Sequence, residues 1–91
     1  MIQLVSIIKT GETWYLNKVV VNPEHISLVQ EAEQMDNLLK EGKIDIGLNE
    51  HVRFSKVSML NTSGFDSFIV IGAPSEILEK INRKSKGLLK G

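Results

Sequence analysis

Apolar positions recur along this chain in two different periods, and the changes between them mark out its elements. Residues 2–8, IQLVSII, are apolar and β-branched almost throughout, which predicts a strand. Thr10-Gly11-Glu12 predicts a turn, because glycine reaches the backbone angles a tight reversal needs. TWYLNKVVV, 13–21, predicts a second strand: Trp14, Tyr15 and the valines suit a pleated surface better than a helix. The two strands make a hairpin. Asn22-Pro23 closes it, since proline has no N–H for the ladder and pushes the residue before it towards extended geometry. Pro23-Glu24-His25 then reads as one short turn.

ISLVQE, 26–31, predicts a third strand with Ile26, Leu28 and Gln30 on one face and Val29 on the other, although the same letters can begin a helix. The period then changes. In AEQMDNLLKEG, 32–42, Met35, Leu38 and Leu39 recur at helical spacing and Gly42 stands where a short helix stops. KIDIGLNEH, 43–51, fits a loop whose Ile44, Ile46 and Leu48 dip into the core at alternate positions. VRFSKVSMLN, 52–61, alternates as a strand does but slips by one residue after Phe54, which fits a bulge. Thr62-Ser63-Gly64 turns the chain into FDSFIVIG, 65–72, the most apolar strand and the expected centre of the sheet. Pro74 suits the first position of a helix and Glu76 the third, where a carboxylate meets free N–H groups. Ile77, Leu78 and Ile81 form one apolar stripe on it, and Gly87 is its expected stop.

These elements predict one α+β domain over 1–91, a mainly antiparallel curved sheet or partly open barrel of about five strands. An acidic segment with a short helix is inserted at 32–50, a C-terminal helix covers 74–86, and 87–91 form a tail. Leu88 and Leu89 in that tail either fold back on the helix or hook a partner. A sheet this small leaves an edge, so a homo-oligomer or strand addition by a partner is expected.

Composition narrows the classes. With 42% hydrophobic and 24% charged residues the chain is that of a folded domain, which excludes wholesale disorder. The absence of cysteine excludes a disulfide scaffold and any thiolate ligand or nucleophile. The start, MIQLVSIIKTGETW, has no basic leader and its apolar run is broken by Lys9. No stretch approaches the ~20 apolar residues of a membrane span. A soluble cytoplasmic protein without a membrane partner is the expectation. The net charge of zero conceals an asymmetry: seven acids from Glu24 to Glu50 face only Lys40 and Lys43, whereas Lys80, Arg83, Lys84, Lys86 and Lys90 close the chain without an acid. Such asymmetry bears on partners, although cations at a helix C-terminus also suit its dipole.

Little of the sequence looks chemical. His25 beside Glu24 invites a general-base reading, but neighbours in a turn do not converge on one substrate atom. His51 is too far along the chain to complete a metal-ligand motif such as HExxH. VIGAPSE joins a strand to a helix as phosphate-binding loops do, yet it has one glycine and no lysine. None of the serines lies in a nucleophile context. The expectation is no catalytic residue, no metal and no cofactor. Trp14 and Tyr15 are adjacent on a strand and face opposite sides, so one packs inwards and the other is available for contact.

Three stretches carry a resemblance: YLN at 15–17, VNPEHISLVQE at 21–31 and FSKVSMLNTSGFDSFIVIGAPSEILEKI at 54–81. In that order they resemble the small FlbD-type proteins associated with bacterial flagella and swarming, where a hairpin, an asparagine turn, further strands and a closing helix follow one another. The acidic segment from about Glu33 to Glu50 departs from that pattern. The chain is also similar to small conserved proteins of large tailed phages, some ending in a similar LLKG, which would place it in a host cytoplasm. Either resemblance implies a small non-enzymatic accessory protein and contributes no site.

The expected function is therefore regulatory binding to a protein partner, through Trp14 or Tyr15, the acidic residues Glu33, Asp36, Glu41 and Asp45, and Leu88 and Leu89. The alternative is a nucleic-acid-binding regulator that uses Arg53, Lys56, Arg83, Lys84 and Lys86. An enzymatic reading requires His25 or His51 to meet two or more acids in space.

Overall fold

The hairpin forms as its sequence dictates. Strand β1, Ile2–Thr10, pairs with β2, Thr13–Val21, in an unbroken antiparallel register from Ile2↔Val21 to Thr10↔Thr13. Gly11, at φ 62°, takes the first position of the two-residue loop, where a positive φ matches the twist of the strands. The computed structural model describes the backbone of residues 1–44, 46–48, 51–61 and 64–90, and the side chains of all of these except 61, 65 and 84–90. The expected turn at Thr62-Ser63 lies outside the described residues.

After β2 the chain makes one 3-10 turn at Pro23–His25, capped by Asn22, whose Oδ1 accepts the Glu24 N–H at 3.0 Å. Strand β3, Ile26–Glu31, leads into helix α1, Glu33–Lys40. Gly42, at φ 73°, ends α1: its N–H donates to Leu39 O at 3.1 Å and the Lys43 N–H to Leu38 O at 2.9 Å, the paired bonds of a glycine cap. Strands β4, Phe54–Asn61, and β5, Gly64–Ile71, follow, then helix α2, Pro74–Lys90. The sheet is open, antiparallel throughout and ordered β2-β1-β5-β4-β3, with β5 at its centre.

Because side chains alternate across a strand, the sheet builds one core on each face. On one, Ile2, Leu4, Val21, Val57 and Val70 pack beneath Ile77 of α2, with Ile81 alongside. On the other, Ile7 and Phe54 pack with Met35 and Leu39 of α1 and Ile44 of the loop that follows. Ile46 and Leu48 join this second core, as their alternation predicts.

Four local expectations are corrected. The slip after Phe54 is no bulge: β4 pairs with β5 without a shift, and Phe54 and Val57 are buried on opposite faces. The bulge is in β3, where Ile26 pairs with Met59 but Leu28 with Ser58, so Ser27 is the extra residue. It brings Ile26 and Val29 to the same face, packed against the α2-side core, and leaves Leu28 between them exposed. On α2, Ile77 is buried but Leu78 is 54% exposed, because successive helical residues point about 100° apart and the sheet covers only one side. Finally α2 runs through Gly87 to Lys90, so the expected tail is helical at 87–90. A glycine inside a helix costs only about 1 kcal/mol, and none of residues 88–90 is a proline that would force a stop.

Candidate functional site

The sheet's outer strand β3 and the first turns of α2 stand side by side with a groove between them. Its walls are Ile26, Leu28, Val29 and Pro23 on the strand side and Pro74, Leu78 and Ile81 on the helix side. The groove holds about 460 Å³, within the range of pockets that take ligands, and its lining is mainly apolar. Among the described residues, the strand that forms its wall has no neighbouring strand on its outer side. Its backbone is thus free to pair, next to a channel able to receive alternate side chains.

A second hollow, of about 250 Å³, is polar and is lined by Glu31, Glu33, Asp36, Asn37, Lys40 and Arg53. Three of its charges, Asp36, Arg53 and Glu31, close the neck of the inserted segment. Asp36, only 4% exposed, accepts the Phe54 N–H on Oδ1 at 2.7 Å and the Arg53 Nε–H on Oδ2 at 3.1 Å. Arg53 also pairs with Glu31 through its terminal nitrogen. The Phe54 carbonyl accepts the Ala32 N–H at 3.0 Å, so both backbone groups of Phe54 tie the start of the insertion to its end. No histidine lines this hollow.

Among the described residues, the candidates do not come together as one site. Trp14 is partly buried in the core under α1, with the Lys9 ammonium 5.2 Å from its ring centroid, a cation–π contact. Tyr15 is exposed on the other face, its hydroxyl 2.9 Å from Thr10 Oγ1. One aromatic in and one out is what adjacent strand positions predict. Glu33 and Glu41 are exposed, and Glu41 pairs with Lys43 at 3.0 Å. Asp36, expected as a contact residue, is buried and holds two hydrogen bonds as a structural clamp. Asp45 lies outside the described residues, as do the side chains of Leu88 and Leu89.

The described cations, Arg53, Lys56 and Arg83, are likewise dispersed. Arg53 is engaged by two carboxylates. Lys56 sits on the face opposite α2, and Arg83 bonds Glu79 one helical turn back at 2.5 Å. The side chains of Lys84 and Lys86 lie outside the described residues. His25 is exposed in its 3-10 turn, and among the described residues no cluster of His, Cys, Asp and Glu can hold a metal ion. Among them too, no helix is long and apolar enough to cross a membrane.

The groove was missed by sequence reasoning, although one signal pointed to it. Ile77 and Leu78 are adjacent apolar residues on one helix, and a sheet face accommodates only one of them. Comparison with protein-family models, curated proteins and solved structures finds no match for the chain. What defines the molecule is thus its architecture: a small open antiparallel sheet with a helix on each face and an apolar groove at one edge.

Proposed function

We propose that this protein is a non-enzymatic accessory module that binds a protein partner, taking an extended apolar segment of it into the groove between β3 and α2. The supporting observation is the pairing of a free strand edge with an apolar channel. An added strand gains main-chain hydrogen bonds from the edge and selectivity from pockets for alternate side chains. Leu28 and Leu78, both exposed at this groove, supply apolar surface that a partner would remove from water. The proposed setting is the cytoplasm, in keeping with an accessory role of the FlbD or tailed-phage kind. Among the described residues, the cations of the nucleic-acid reading do not share one surface: Arg53 is engaged by two carboxylates, and Lys56 and Arg83 stand on opposite sides of the sheet.

A display library of random peptides, panned on the full chain, tests this reading. Enriched peptides should carry apolar residues at alternate positions. Their affinity should fall about tenfold or more in Leu78→Arg, equivalent to about 1.4 kcal/mol, and change little with salt. Enrichment of basic or acidic sequences without alternation, or binding indifferent to Leu78→Arg, would remove the groove from the proposal. Binding of nucleic acid that weakens steeply with salt would instead favour the alternative.

A further inference from the structure

Among the described residues, the sheet ends in two strands without an outer neighbour, β3 and β2, and they are unlike. The β3 edge is short, interrupted by a bulge and flanked by α2. Short length, bulges and flanking helices are the devices by which edge strands avoid pairing with copies of themselves. The β2 edge has none of these three; its one guard of another kind is the charged side chain of Lys18. It is nine residues long, its register with β1 is unbroken, and it exposes Tyr15, Leu16 and Val20, the last 65% exposed.

We infer that β2 is the dimerisation edge: two copies of this chain pair β2 with β2 antiparallel about a two-fold axis at Asn17, giving one continuous ten-stranded sheet. Backbone geometry selects this register. In a two-residue hairpin loop the flanking residues, here Thr10 and Thr13, exchange both hydrogen bonds. Odd positions of β2 therefore bond to β1, and Trp14, Leu16, Lys18 and Val20 turn their N–H and C=O outwards. With Asn17 on the axis, Leu16 of one copy meets Lys18 of the other and Trp14 meets Val20, so the outward groups pair with one another over the whole strand.

The side chains fit the same register. Trp14 against Val20 and Tyr15 against Val19 are aromatic–β-branched pairs, the kind that stabilises neighbouring strands. Lys18, the strand's sole charge, stands opposite Leu16 rather than its own copy, and its stem can cover that leucine with the ammonium in water. Asn17 faces Asn17 across the axis, where two amides can exchange hydrogen bonds and mark the register. Strand β3 lies at the far end of the sheet from β2, so the dimer keeps both grooves open at its outer edges. This inference does not rest on the groove reading, which is tested by peptide binding rather than by self-association.

Sedimentation of the full chain over a wide concentration range, combined with disulfide trapping, tests it. The chain has no cysteine, so Asn17→Cys introduces a single reporter. Facing residues in a non-hydrogen-bonded pair have Cα atoms about 4.5 Å apart, within disulfide reach. The expected results are a concentration-dependent dimer, rapid cross-linking of Asn17→Cys under mild oxidation, and no comparable cross-linking of Leu28→Cys on β3. Val20→Lys, at a solvent-exposed position, should weaken the dimer about tenfold or more while leaving the circular dichroism unchanged. A monomer at every concentration would overturn the inference, as would cross-linking through Leu28→Cys without Asn17→Cys.

Discussion

The two faces of the sheet are covered in different ways. On the α2 face the cover follows directly from the central strand: β5 ends at Ile71, and α2 starts at Pro74. Its docking is apolar, Ile77 and Ile81 over Leu4, Val57 and Val70. The buried polar groups there, Ser55 and Ser6, each donate to a backbone carbonyl, of Gly72 at 2.7 Å and Asn17 at 3.1 Å. On the α1 face the cover is a detour between β3 and β4, and its helix has only eight residues. Helices this short are marginal without tertiary support. Here that support is both apolar, through Met35 and Leu39, and ionic, through Asp36. A cover joined to the sheet by a short connection can rely on packing alone. One that leaves and returns needs its ends fastened, and Asp36, Arg53, Glu31 and Phe54 do the fastening.

The largest effect expected is at Phe54, which is fully buried beneath α1. Phe54→Ala should cost about 3–5 kcal/mol, a large part of the total for so small a domain. Urea unfolding would show it as a collapse of the transition midpoint. Ile77→Ala on the opposite face should cost about 2–5 kcal/mol by the same mechanism. The comparison between faces predicts a difference of kind. Hydrogen exchange should show α1 and the loop after it opening first when Phe54 is truncated, and the whole sheet losing protection when Ile77 is. Identical exchange patterns for the two variants would mean that both covers belong to one cooperative unit.

Asp36→Ala sharpens the point. It leaves the Phe54 N–H without its acceptor and Arg53 with Glu31 alone. An orphaned buried donor costs about 1–3 kcal/mol, so the loss should be smaller than at Phe54 but confined to the insertion. Amides of α1 should exchange faster while those of α2 keep their rates. Ser55→Ala is the counterpart on the other face. It removes the hydrogen bond to Gly72 O next to the start of α2, for about 1 kcal/mol. A larger effect from Ser55→Ala than from Asp36→Ala would reverse the assignment of ionic fastening to α1.

Much of this architecture was legible in the sequence, and what was not has physical causes. The hairpin, the Asn22 turn, the helix stopped at Gly42 and the strand-to-helix junction at Pro74 are set by local chemistry: a positive φ, a missing N–H, a side-chain cap. Phe54 and Val57 were misleading because alternation assumes one buried face, whereas β4 is buried on both. The bulge at Ser27 had no sequence mark, since it reflects how β3 meets β4 and not any preference of its own residues. Asp36 looked like part of an acidic surface because its partners, Arg53 and the Phe54 N–H, come near only when the insertion closes. The groove was hidden for the same reason. It lies between Ile26 and Leu78, which are far apart in the chain.

The smallest effect on stability is expected at Leu78, and it separates burial from hydrophobicity. Leu78 and Ile77 are neighbours of nearly equal apolarity, yet Ile77 is 1% exposed and Leu78 54%. Leu78→Ala should shift the unfolding free energy by no more than about 0.5 kcal/mol, as surface substitutions do, and alanine's higher helix propensity offsets part of that. The same change should weaken an extended apolar peptide in the groove, because the helix-side wall loses its outermost side chain. A destabilisation approaching that of Ile77→Ala would mean that Leu78 is covered in the isolated chain, with the groove closed. Unchanged stability with weakened peptide binding would show that α2 uses adjacent residues for two purposes, Ile77 to hold the sheet and Leu78 to meet a partner.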